Sequence, residues 1–248
     1  MSEVILDRLK PAAANKVRPF LDEILAGFRE KVHSIYVTGT AITEDFNEKI
    51  SDVNTLVVLK EMDLGFLHLL APLGRKYGKH KVAAPLIMTP DYIRSSLDVF
   101  PIEFLNFKLI HSVVFGDDLL QNLAIERMDL RSQCERELKV KLIGIRQSYI
   151  SAQGDRKLLN RGFVNSIAGY IPLFRGIIYL FGKTPPVKQR DVIETLGAET
   201  NVNTEVFAKA FREKHKQIKL SVEELNTMFE DYYTATEKLG RLVDEIES

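Results

Sequence analysis

Two short stretches carry the residue types that could do chemistry. The first is Tyr36-Val37-Thr38-Gly39-Thr40, a β-prone run that ends in glycine. The second is Ser51-Asp52-Val53-Asn54, which opens the apolar run Thr55-Leu56-Val57-Val58-Leu59. A strand turns successive side chains to opposite faces, so positions 52 and 54 share one face. That face offers a carboxylate and an amide, and both are oxygen donors suited to a hard cation. Gly39 has no Cβ and lets backbone come close to phosphate oxygens. Thr40 adds a hydroxyl, and eleven residues separate it from Asp52.

The order of strand, glycine–hydroxyl pair, polar segment, acidic pair and second strand resembles the signature of the nucleotidyltransferase superfamily, the polymerase-β-like fold. In that family a Gly-Ser pair holds the triphosphate and an Asp-x-Asp pair on the next strand holds Mg²⁺. The resemblance therefore implies that Gly39, Thr40 and Asn54 meet a nucleotide and that Asp52 and Asn54 hold Mg²⁺. The family's second carboxylate is an amide here, so one ion can be held through Asp52 but a two-metal site is harder to build. A third carboxylate normally deprotonates the attacking hydroxyl from a later strand. The expected strand at residues 81–88 contains no acid. Glu103, in Phe100-Pro101-Ile102-Glu103-Phe104, is the remaining candidate for a catalytic role beside Asp52, with Asp98 nearby, provided that run forms a strand next to the site. A helix starting just past Thr40 would add its N–H groups to the phosphate site.

These residues need elements to position them. Residues 3–32 read as helical, with Pro11 in a first turn and Phe20, Leu21, Ile24, Leu25 and Phe28 at helical spacing. Strands are expected at residues 33–38, 54–60, 81–88 and 111–115. A helix is expected at residues 64–77 with Gly78 as its cap, and Thr89-Pro90-Asp91 reads as the start of another. Residues 44–50 read as loop or a short turn, and residues 100–107 leave strand and helix both open. Beyond Asp118 strand-like alternation disappears. Helices are expected at residues 135–151, 157–181 with a kink at Pro172, 187–196 and 205–216. Ser221-Val222-Glu223-Glu224 matches a capping box and opens a last helix ending near residue 246. The expected fold is an α/β (α+β) nucleotidyltransferase-like domain with a small mixed sheet, residues 1–125, followed by an all-α helical bundle, residues 126–248.

Composition bounds the function. The chain has 248 residues, 45% hydrophobic and 27% charged, ordinary for a globular protein able to bury a core. Lys+Arg and Asp+Glu both number 34, so the net charge is zero and non-specific nucleic-acid binding is not expected. The basic run Lys209, Arg212, Lys214, Lys216 and Lys219 reads as a solvated helix face. Cys134 is the only cysteine, which excludes an intrachain disulfide and Cys-based zinc sites and fits a cytoplasmic setting. No apolar stretch approaches the ~18 residues of a membrane span. For Arg161 and Arg175, snorkelling to the surface competes with phosphate contact in a cleft between the domains.

The resemblance implies a protein that binds an NTP or another phosphorylated small molecule, with weak or no transferase activity. One alternative is an active Mg²⁺-dependent transferase moving a nucleoside monophosphate to a small-molecule or protein acceptor. Another is a non-catalytic scaffold that self-associates through the apolar terminal helix of its helical domain.

Overall fold

The computed structural model describes residues 3–216 and 220–246, so Lys219 lies outside the described residues. The α/β part contains α1 (Pro11–Phe28), β1 (Val32–Thr38), β2 (Asn54–Leu59), α2 (Leu64–Gly78), β3 (Leu86–Met88), α3 (Pro90–Ser95), α4 (Pro101–Leu109) and β4 (His111–Gly116). Helices follow: α5 (Arg127–Ala152), α6 (Arg156–Ser166), α7 (Tyr170–Leu180), α8 (Gln189–Thr200), α9 (Glu205–Lys216) and α10 (Val222–Asp244). Contacts divide the chain into two compact units, Met1–Leu97 with Phe104–Ala124 and Asp98–Glu103 with Ile125–Ser248.

Local chemistry starts these helices. Pro11 and Pro90 occupy first-turn positions where a missing N–H costs nothing. The Asp63 carboxylate accepts from Gly65 N at 2.7 Å, and Thr89 Oγ1 accepts from Tyr92 N at 3.1 Å. At α10 the capping box is complete: Glu224 N donates to Ser221 Oγ, and Ser221 N donates to Glu224 Oε2.

In the first unit the described strands form one mixed sheet in the order β3-β2-β1-β4. β1 pairs antiparallel with β2 and β4, and β2 pairs parallel with β3. Ile35, Val37 and Val57 face a core shared with Phe20, Leu21 and Ile24 of α1 and Phe66 of α2. Each such side chain, fully buried, stabilises the fold by about 1.5–3 kcal/mol. The opposite sheet face carries Ser34, Tyr36 and Thr38, opposite Val58, Leu56 and Asn54.

The second unit is helical. Its centre is an aromatic cluster of Tyr170, Phe174, Phe207 and Tyr232, with ring centroids about 5 Å apart. Tyr170 and Thr236 share a buried hydrogen bond at 3.0 Å. Arg175 is buried, and it donates to Pro186 O at 3.0 Å and Val187 O at 2.6 Å. It therefore fastens the backbone at Pro186 and Val187, just after α7, and does not snorkel to the surface. Arg161 is exposed on α6.

One open reading is resolved, two expectations change and one alternative loses its surface. Residues 101–109 form a helix, since Pro101 suits a helix first turn better than a strand interior. Pairing in the third strand is confined to residues 86–88 plus a lone Val53–Val82 bridge. Helix 157–181 is broken by a 3-10 turn at Ile167–Gly169, which places Pro172 in the first turn of α7 rather than at a kink. The apolar face of α10, including Leu225, Met228, Tyr232, Leu239 and Val243, is buried inside its own unit and is not free for self-association. Among the described residues no helix is long and apolar enough to cross a membrane.

Candidate functional site

β1 ends at Thr38, and the chain turns at Gly39 with φ of 72°, a left-handed value that favours glycine. Residues Gly39–Ile42 form a single 3-10 turn, with no longer helix behind it. The expected helix-end contribution to a phosphate site is therefore limited to this turn. Its closure is local: Thr43 N donates to Thr40 O at 2.9 Å, and Thr43 Oγ1 donates to the same carbonyl at 3.2 Å. Gly39 N is directed at Ile110 O, 3.4 Å away, which ties the turn to the start of β4.

Register sets what lies beside the turn. Asn54, the first residue of β2, is the direct partner of Thr38. A Cβ built on Gly39 would stand 3.6 Å from Asn54 Nδ2, so the amide lies against the glycine. Val53 is fully buried between Asp52 and Asn54, both of which are exposed. This alternation leaves the carboxylate and the amide on the same side of the strand. The sheet thus brings Gly39, Asn54 and Asp52 to one end, with the half-buried Thr40 in the adjoining turn.

The neighbouring strands add no carboxylate. β3 sets Leu86 against Leu56, and Leu86 is half exposed. Ala84 lies between that pair and the Val53–Val82 bridge. Among the described residues no three His, Cys, Asp or Glu side chains gather as a metal cluster. Asp52 and Asn54 can offer one carboxylate and one amide oxygen to a cation, enough for a single Mg²⁺ that also binds phosphate oxygens.

Glu103 is on α4, counted with the second compact unit. Its Oε2 accepts from Gln133 Nε2 at 2.8 Å, while Gln133 Oε1 accepts from Ile102 N at 2.7 Å. Gln133 clamps the first turn of α4, and Glu103 is half of that clamp. The strand on which its catalytic role depended is absent.

The site includes residues that sequence reasoning missed. His111 is the cross-strand partner of Thr38, on the side opposite Asn54. Its Nδ1 faces Phe107 O at 2.6 Å, and its Nε2 faces Asp118 Oδ2 at 3.0 Å. Both ring nitrogens are occupied, and the ring packs edge-on to Tyr36. Tyr36 OH donates to Asp117 O at 2.8 Å and accepts from Leu119 N at 2.8 Å. Burial pushes the Tyr36 hydroxyl up, despite opposing hydrogen bonds from Ser34 and Leu119. For Asp118 burial alone would raise the pKa. The His111 hydrogen bond and charge, with the Leu120 and Gln121 N–H groups, outweigh it and hold the carboxyl below its ordinary value. The network fastens residues 117–121 to the sheet next to the Gly39 turn. The only local signal for it was a histidine at a strand start with an aspartate a few residues on, a pattern of low information by itself.

No family model and no curated protein matches the sequence. Solved structures align with it. One is a spectinomycin adenyltransferase from Enterococcus faecialis, in a structure with ATP and spectinomycin. It aligns with a TM-score of 0.55 at 17% identity, over 91% of this chain and 98% of that chain. Another is a nucleotidyltransferase-like protein from Exiguobacterium sibiricum 255-15, with a TM-score of 0.39 and 13% identity over 92% of this chain and 74% of that one. The first likeness establishes a nucleotidyltransferase-like fold with a helical domain.

Proposed function

We propose that this chain binds a nucleoside triphosphate, or another phosphorylated small molecule, at the sheet end formed by Gly39, Thr40, Asp52 and Asn54, and that it transfers nucleotidyl groups weakly or not at all. The observation that carries this reading is the donor set. Asp52 is the single carboxylate at the start of β2, Asn54 replaces a second, the adjoining β3 segment offers Ala84 and Leu86, and the Asp118 carboxylate beside His111 is already engaged by that ring and by the Leu120 and Gln121 N–H groups. ATP in the structure of the spectinomycin adenyltransferase makes an NTP the first ligand to test. In this reading residues 1–125 carry the nucleotide site, residues 126–248 form the helical domain, and the protein works in the cytoplasm.

The residues divide the work as follows. Gly39 lets the backbone approach phosphate oxygens, and the Thr40 hydroxyl is a donor to them. Asp52 and the Asn54 amide oxygen hold one Mg²⁺ brought with the nucleotide. When bound, that ion neutralises and orients phosphate charge. A second ion lacks carboxylates here. An active transferase with Glu103 as its base would need that carboxylate on a strand beside Asp52, whereas it stands on α4 and is held by Gln133, which favours binding over transfer.

Calorimetric titration of ATP and GTP, with and without Mg²⁺, into the wild type and Asp52→Ala tests the reading. Mg²⁺-dependent binding that falls by roughly tenfold or more in the variant, as loss of a charged ligand should give, supports it. Wild-type protein that takes up neither nucleotide, or an Asp52→Ala variant that binds as well as wild type, overturns it.

A further inference from the structure

The second unit holds a cavity of about 460 Å³, within the size range of small-ligand pockets. It lies among α5, α6, α7 and α10, far in sequence from the residues of the proposed nucleotide site. Its walls are aromatic. Tyr149 and Phe229 stack with centroids 4.1 Å apart and planes 29° apart, and Phe163 meets Tyr232 edge-on at 5.7 Å. Tyr170 completes the lining, held by its hydrogen bond to Thr236.

Two glycines line the space. Gly144 lies within α5, and a Cβ added there would meet nothing within 4 Å. Gly162 lies within α6, and a Cβ there would come within 2.4 Å of Ser148 Oγ, so a larger residue would require the Ser148 hydroxyl to turn away. Glycine inside a helix is less favourable than alanine. Gly144 is exposed at the mouth of the cavity, so a larger side chain there has room to extend over it.

One cation lines the cavity. Lys141 Nζ stands 4.3 Å from the Tyr170 ring centroid. Burial lowers the pKa of this ammonium, and Glu137 opposes that only through a charge at a distance. Among the described residues no carboxylate lies within ion-pair range of it. A partly buried ammonium in an apolar wall is unfavourable until an anion pairs with it. Stacked rings select a flat partner.

We propose that this cavity is a binding site for a small planar aromatic anion, whose ring packs against the aromatic wall of Tyr149, Phe163 and Phe229 and whose acidic group pairs with Lys141. The site is independent of the nucleotide reading and survives its failure.

The test uses the full-length chain and two probes, anilinonaphthalene sulfonate and its neutral analogue phenylnaphthylamine, followed by calorimetry and fluorescence. One-to-one binding of the anionic probe is required, because loosely packed proteins take up such dyes without stoichiometry. Lys141→Met keeps the side-chain stem and removes the charge. It should weaken the anion by roughly tenfold while leaving the neutral probe unchanged. Gly144→Leu fills the cavity and improves helix propensity, so it should fold and should lose both probes. Circular dichroism and the unfolding midpoint confirm that each variant is native. The proposal is overturned if the wild type shows no stoichiometric binding, if Lys141→Met binds the anion as tightly as wild type, or if folded Gly144→Leu still binds.

Discussion

Replacing Gly116 with alanine should destabilise the first unit far more than replacing Gly39, although both glycines have left-handed backbones, with φ of 77° and 72°. At Gly39 the added Cβ meets only Asn54 Nδ2, at an ordinary contact distance of 3.6 Å. The cost is then the left-handed conformation alone, about 1 kcal/mol. At Gly116 the same Cβ would stand 2.0 Å from His33 O, 2.9 Å from Ser34 Cα and 3.0 Å from His33 C. These are backbone atoms of β1, and β1 is held by β2 on one side and β4 on the other. They cannot rotate away as a flexible side chain could, so β4 must shift and lose ladder hydrogen bonds. Overpacking of this kind adds about 2–3 kcal/mol, for a total of about 3–4 kcal/mol. Urea unfolding of the full chain, followed by circular dichroism, reads the difference. With a slope of about 2 kcal/mol/M, the midpoint should fall by about 0.5 M for Gly39→Ala and about 1.5–2 M for Gly116→Ala. Equal midpoints, or a larger loss at Gly39, would refute the reasoning that a fixed backbone neighbour decides the cost.

Three further outcomes are expected. The depressed Asp118 carboxyl stabilises the fold above its unfolded pKa, about 3.9, and that contribution is lost as pH falls through the lower folded value; urea midpoints from pH 7 to pH 3 should therefore fall more steeply for the wild type than for Asp118→Asn, with about 1–2 kcal/mol between them at neutral pH, and parallel pH profiles would contradict this. Cys134 is fully buried and burial drives its thiol pKa strongly upward, so a disulfide reagent such as Ellman's should titrate no thiol in native protein and one thiol per chain in urea; fast native labelling would mean that α5 opens. Asn54→Asp places a second carboxylate next to Gly39 and, on the proposed nucleotide reading, should raise Mg²⁺-dependent nucleotide affinity by roughly tenfold in calorimetry, whereas an unchanged or weaker affinity would argue that Asp52 and residue 54 do not share an ion.

Much of the fold was legible because its signals are short-range. The β-branched run before Gly39, the caps at Thr89 and Ser221 and the helical spacing in α1 depend on neighbours a few residues apart. Where the signal was ambiguous, a proline resolved it: Pro101 starts a helix and removes the strand on which a catalytic Glu103 depended. The break at residues 167–169 was not legible, since Pro172 drew attention while the chain turned just upstream of it. The sequence also left open, as one alternative, self-association through the apolar face of the last helix. An apolar stripe reads the same whether its own unit or another molecule covers it, and here its own unit does.

By itself, then, the sequence determined many of the local elements, the glycine turn after β1 and the acid-then-amide order of Asp52 and Asn54. Those features are written in adjacent residues. Only the tertiary structure decided that Thr38 lies between Asn54 and His111, that Leu86 rather than an acid sits beside β2, and that Lys141 lines an aromatic cavity. Each of these depends on pairing or packing between distant segments, and hydrophobic periodicity carries no record of which distant segment will be the neighbour.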